Sequence, residues 1–67
     1  MKHGVTRARV YEYIRDFRTQ NGYSPSFREI ADGLGVGLAT VDHHVLHLKA
    51  EGLITYKNGV ARSIVVL

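Results

Sequence analysis

Two runs with helical spacing of apolar residues are separated only by Gly35-Val36-Gly37, and no other feature of the chain narrows its fold as much. The earlier run directs Ile30, Ala31 and Leu34 to one side; the later one begins near Leu38, directs Val41, Val45 and Leu48 to one side, and stops at Gly52. A glycine-containing turn this short makes the second helix cross the first, which is the helix-turn-helix arrangement. Ala31 is small enough for the crossing, Gly35 accepts a turn geometry that other residues resist, and Val36 fills the gap beneath.

The flanking segments complete the architecture. Ser26 followed three residues later by Glu29 forms a capping box at the start of the short helix, which Gly33 weakens and Gly35 stops. Tyr23-Ser24-Pro25 forces an extended connection before it. Upstream, Thr6 is the N-cap of a helix over about residues 6–20. Val10, Ile14 and Phe17 form its apolar stripe, with Tyr11 and Tyr13 beside it, and Arg7, Arg9, Glu12, Arg15, Asp16 and Arg18 fill the other faces. Asn21-Gly22 closes that helix. After Gly52 the content turns strand-like, LITYK and VARSIVVL around Asn58-Gly59, a dipeptide suited to a two-residue hairpin turn with positive φ at both positions. Counting outward pairs Lys57 with Val60, Thr55 with Arg62 and Leu53 with Ile64, so that Leu53, Ile64 and Val66 cover the helices. The expected fold class is α+β, mainly α: a three-helix winged helix-turn-helix with a C-terminal two-stranded β-hairpin wing.

Sixty-seven residues make one domain, 1–67, because so short a chain buries only about 60% of its unfolded surface. With no cysteine, neither a disulfide nor a thiolate zinc site can staple it, and packing has to suffice. The start MKHGV lacks the apolar core of a signal peptide, and no segment nears the roughly 20 apolar residues of a membrane span, so a cytoplasmic protein is expected. The net charge of +3 is uneven: residues 1–28 carry Lys2, Arg7, Arg9, Arg15, Arg18 and Arg28 against Glu12 and Asp16, whereas the remainder is slightly acidic. A positive field on one half attracts polyanions, nucleic acid foremost; a solvated helix face is the plainer alternative.

The general form of the winged helix-turn-helix is leucine-glycine-valine, a small residue, two variable residues and threonine-valine, then a helix ending glycine-leucine-isoleucine. LGVGLATV and EGLI meet it at matching spacing. The stretch VYEYIRDFRTQNGYSPSFREIADGLGV resembles the N-terminal DNA-binding domain of the LexA-type repressor family, and the similarity continues through TVDHHVLHLKAEGLI and the hairpin, over about residues 5–67. The resemblance implies transcriptional repression at a specific operator in double-stranded DNA, with the third helix in the major groove and the wing beside it. It places the protein in the cytoplasm of a bacterium or in a phage system, associated with the nucleoid, as a free-standing regulator or as the N-terminal part of a longer one. The stretch from Gly35 to Thr40 is shorter than in that family, so the operator sequence does not carry over. Regulated self-cleavage, which the family performs with a serine-lysine domain beyond this region, is expected to be absent.

Because Val41, Val45 and Leu48 face inward, the outward side of the third helix presents Gly37, Leu38, Ala39, Thr40, Asp42 and His43 and, further along, Leu46 and His47. Ala39 or Leu38 can pack on a thymine methyl, His43 can donate to a purine, and Asp42 can accept from a cytosine amino group. Leu38 is equally suited to packing inward at the turn. No arginine offers the bidentate contact to guanine, so discrimination per base is expected to be modest. Ser26, Phe27 and Arg28 open the second helix, whose amides and dipole suit a phosphate. Arg7, Arg9, Lys57, Asn58 and Arg62 are the other expected DNA contacts. For each arginine the competing expectation is solvation or a weak pair, such as Glu12 with Arg15 or Arg28 with Asp32.

Other functions fit less well. His43 and His47 share a helical face beside Asp42, but a zinc site wants three or four ligands, so no metal or other cofactor is expected; His44 belongs on the flank of the apolar stripe. There is no glycine-rich phosphate loop after a strand and no nucleophile with an evident base, so no enzyme is expected. The remaining alternative is a protein-interaction module of the same fold, such as an antirepressor. Tyr56, Val65 and Leu67 leave apolar groups on the outer hairpin face, able to pair two copies on a palindromic operator or simply exposed.

Overall fold

In the computed structural model of the chain, which describes residues 5–67, Thr6 starts the first helix as expected: its hydroxyl accepts the Arg9 amide at 3.1 Å, and α1 runs Arg7–Asn21 to a left-handed Gly22. Lys2, part of the basic half, and the MKHG start lie outside the described residues. The capping box forms in full at α2 (Phe27–Leu34), with the Glu29 amide donating to Ser26 Oγ and the Ser26 amide donating to Glu29 Oε1. Gly35 then turns the chain at φ 69° and Val36, partly buried, packs on the core. α3 spans Leu38–Ala50, capped by Gly37 before it and followed by Gly52 at φ 78°.

The core joins one face of each helix. Val10 and Ile14 of α1, Ile30 and Ala31 of α2, and Val41, Val45 and Leu48 of α3 are buried together with Ile54 and Ile64. α3 is the central element, in contact with α1, with α2 and with the first strand of the wing. Phe17 departs from the expected stripe. It stays half-buried at the rim, between the rings of Tyr13 (6.2 Å) and Tyr23 (5.7 Å), because the helix turns it past the edge of the core. Gly33 does more than weaken α2: the Tyr13 ring lies against it where a Cβ would stand, and the Tyr13 hydroxyl donates to the Glu29 carbonyl at 3.3 Å.

The wing is the part whose register differs from the expected one. Its strands are β1 (Ile54–Thr55) and β2 (Val65–Val66), antiparallel, pairing Ile54 with Val66 and Thr55 with Val65 instead of Thr55 with Arg62. A turn does close at Asn58-Gly59, with the Val60 amide donating to Lys57 O at 3.2 Å, but only Gly59 has positive φ. Such a turn does not carry the twist that continues directly into a ladder. The ladder is replaced by Ser63: its Oγ accepts the Lys57 amide at 2.9 Å and donates within reach of the Lys57 and Val60 carbonyls. The partner of Thr55 thus lies three positions further along, and the inward residue passes from Leu53 to Ile54. Leu53 is 40% exposed, Ile54 is fully buried in its place, and Ile64 and Val66 point inward as expected. Tyr56 likewise is half-buried against the core and not on the outer face, whereas Val65 and Leu67 are exposed. Three helices and a two-stranded antiparallel hairpin in this order form a winged helix-turn-helix.

Candidate nucleic-acid interface

The inward anchoring of α3 decides what its other side can do. With Val41, Val45 and Leu48 sealed in the core, Ala39, Asp42, His43, Leu46 and His47 stand exposed, and Thr40 and His44 are half-buried. Leu38 points outward, at 41% exposure, so of its two expected placements the turn adopts the solvent-facing one. No side chain caps the helix at Gly37, which leaves the first-turn amides of α3 unoccupied. The His43 and His47 rings lie 4.5 Å apart and those of His43 and His44 5.5 Å apart, forming an imidazole ridge along the outward face. Arg7 Nη1 donates to His47 Nδ1 at 3.3 Å. A guanidinium can only donate, so in this contact the His47 ring nitrogen is the acceptor.

Beside this face an open groove of about 390 Å³ lies between the start of α2 and the wing. It brings together Ser26, Phe27, Asp42, Lys57, Asn58 and Arg62 from three separate stretches of the chain. The Ser26 hydroxyl is committed to the Glu29 amide, so the donors left over at this helix start are the amides of Phe27 and Arg28. The Phe27 side chain itself turns onto the wing, edge-on to Tyr56 at 5.4 Å, and Lys49 lies over the Tyr56 ring, 4.6 Å from its centroid. Among the described residues Asp42 is the one carboxylate on the groove wall, placed where it repels a phosphate but can accept from a base amino group.

The cations differ in how committed they are. Arg7 bridges Glu51 at 3.1 Å and His47, at the far end of α3. Arg9 pairs with Glu12 at 3.1 Å, taking the carboxylate expected for Arg15, and borders a separate depression on α1 with Tyr13 and Asp16. The structure therefore does not bring Arg9 to the groove. Arg62 makes a two-point contact with Glu29 (2.7 and 3.0 Å), donates to the Ser24 carbonyl at 3.2 Å and lies 4.9 Å over the Tyr23 ring. That guanidinium, with the capping amide of Ser26, holds the Glu29 carboxyl below the usual carboxylate range, and Glu29 in turn raises Arg62. Among the described residues Arg28 and Lys57 enter no ion pair, Arg28 on the first turn of α2 and Lys57 at the groove.

Two residues join those the sequence singles out: Tyr56, which lines the groove, and Glu29, which pairs with Arg62 of its wall. The expected register puts Tyr56 on the outer face, whereas the observed one turns it onto the core. Glu29 was legible only as a cap, because its contact with Arg62 spans 33 positions and leaves no local mark. No group of three or more metal-ligating side chains converges among the described residues, and none of the helices described is long and apolar enough to cross a membrane.

Comparison with known proteins bears on this geometry. Residues 4–63 match the family model for the LexA DNA binding domain. The LexA repressor of Koribacter versatilis is 46% identical over 59 residues, which cover 87% of this chain and 28% of that protein. The LexA repressor 1 of Nocardia farcinica is 36% identical over 61 residues, 90% of this chain and 28% of that protein. The LexA repressor of Listeria monocytogenes is 32% identical over the whole chain, which spans 33% of its length. The chain thus spans about a third or less of these relatives.

Proposed function

We propose, from the premise that the chain belongs to the LexA DNA-binding-domain family, that it is a sequence-specific regulator of transcription that binds double-stranded DNA and represses. The observation that carries this reading is the division of α3: its inner side is sealed in the core and its outer side, from Ala39 through Asp42 and His43 to His47, stands free at the mouth of a cation-bordered groove. In this reading α3 enters the major groove. Leu38 and Ala39 meet thymine methyls, Asp42 a cytosine amino group and His43 a purine acceptor, while Thr40 and Gly37 stand at the helix start. The strand running past the wing is held by the Phe27 and Arg28 amides, the Arg28 charge, Lys57 and Asn58, and Arg7 reaches the backbone beyond His47.

The finer parts of the reading are also proposals. The chain acts as one winged helix-turn-helix unit without a catalytic step or a resident cofactor, in the cytoplasm of a bacterium or a phage-infected cell, on the nucleoid. Two copies bind a palindromic operator.

Selection of bound duplexes from a random pool, followed by titration at two salt concentrations, tests the reading. Binding is expected to fall steeply with salt, with a log-log slope of roughly −0.9 per phosphate neutralised. Thr40→Ala with His43→Ala is expected to abolish selectivity while circular dichroism stays unchanged. No binding to any duplex at low salt would instead favour a protein-interaction module such as an antirepressor.

A further inference from the structure

The wing is held in an unusual way for an element that has to meet DNA. Its ladder has only two residue pairs, too few to fix the tip, and residues 56–64 form a loop closed by side chains. At the base of that loop Arg62 adopts φ 56°, the single non-glycine residue with positive φ among those described. Its side chain is fixed at three points: the Glu29 carboxylate, the Ser24 carbonyl and the Tyr23 ring. Glu29 is equally fixed, since the same Oε1 that accepts from Arg62 also accepts the Ser26 amide of the capping box.

We propose that Arg62 is a positioning residue and not a phosphate ligand: with Glu29 it forms a strut that sets the height of the wing above the start of α2. The strut aligns Lys57 with the Phe27 and Arg28 amides across the groove, so that one nucleic-acid strand meets both walls. Two physical points separate this role from direct contact. The fork of Arg62 is occupied by a carboxylate, whose charge cancels its own and repels a phosphate approaching the same point. Both side chains of the pair are also more than a third exposed, at 43% and 37%, so the pair adds little to global stability and its effect is one of placement. The inference rests on the DNA-binding reading only for its functional consequence; the strut itself is testable in the free protein.

The experiment uses the whole chain and a duplex selected by it from a random pool. Glu29→Gln keeps the capping box, because glutamine serves at that position, and removes the charge together with one of the two acceptors facing the Arg62 fork. Arg62→Lys keeps the charge and removes the two-point fork. Each variant is expected to weaken binding about fivefold, the upper end of what an exposed ion pair couples, with the double variant no weaker than either alone and the salt slope unchanged. Lys57→Gln, by contrast, lowers the slope by about 0.9. In the free protein, amide exchange at Lys57 and Val60 is expected to speed up in Glu29→Gln while α1 to α3 keep their protection. The strut is overturned by full binding in Arg62→Lys and Glu29→Gln together with a slope lowered in Arg62→Gln, which makes Arg62 a phosphate ligand. It is equally overturned by unchanged exchange in the wing. A wild-type chain that binds no duplex defeats the DNA reading, and the exchange measurement then still decides the strut.

Discussion

Residues 7–50 and residues 54–66 are held in place by different means. Among the described residues, seven of the nine that form the buried core cluster come from the helices, each placed by a repeat along its own helix and by caps within three or four residues of the ends. The wing contributes Ile54 and Ile64 and owes its shape to side-chain contacts outside any regular repeat: Arg62 with Glu29 and Ser24, 33 and 38 positions away, and, nearer in sequence, Ser63 with Lys57 and Lys49 with the Tyr56 carbonyl at 3.3 Å. Polar, half-exposed contacts such as these fix direction more than they stabilise. The helical half therefore supplies most of the buried apolar contact, and the wing supplies the second wall of the groove.

The largest effect that tests this contrast is in the core. Ile30→Ala, at a fully buried site, is expected to cost about 3 kcal/mol in urea unfolding, whereas Leu53→Ala in the wing costs under about 0.5 kcal/mol. Equal losses at the two sites would break the contrast. Ser26→Ala removes the hydroxyl of the capping box and is expected to cost about 1 kcal/mol by the same measurement, since the Glu29 amide loses its acceptor.

A smaller effect of opposite sign is expected at Ser24, a buried hydroxyl with no hydrogen-bond partner among the described residues although its own carbonyl receives Arg62. Ser24→Ala is expected to be neutral or to stabilise by up to about 1 kcal/mol. A clear loss would mean that the hydroxyl, and not only the backbone, supports the wing.

The smallest effect is a pH dependence confined to the wing. Glu29 is held below its ordinary value chiefly by Arg62, so its contribution is fully present above the ordinary glutamate range of about 4.3 and is lost as pH falls through the lowered value. Amide shifts of Lys57 and Val60 are expected to move in that acidic window while those of α1 remain native. Simultaneous loss of both would mean that the wing and the helices unfold as one unit.

The difference between the regions also governs how much could be read in advance. Thr6, the capping box of Ser26 and Glu29, the left-handed Gly22 and Gly35, and the stripe of Val41, Val45 and Leu48 are local, and all are found where their spacing put them. Asn58-Gly59 was legible as a turn. Its register was not, because that depends on the Ser63 hydroxyl and on Arg62 taking positive φ, neither of which has a local signature. In the site, the outward face of α3 follows from periodicity alone. The partners of Arg7, Arg9 and Arg62 do not, since a long exposed side chain has several carboxylates within reach and the fold chooses among them.

The outward face of α3, the three helices and their capped ends were thus settled by spacing, because a helix places residues three and four apart on one side whatever surrounds it. The height of the wing, the choice between Leu53 and Ile54 as the inward residue, and the sequestering of Arg62 by Glu29 were decided only when distant segments met. A strand two residues long has no periodicity strong enough to set its own register, so packing and a few polar contacts set it instead.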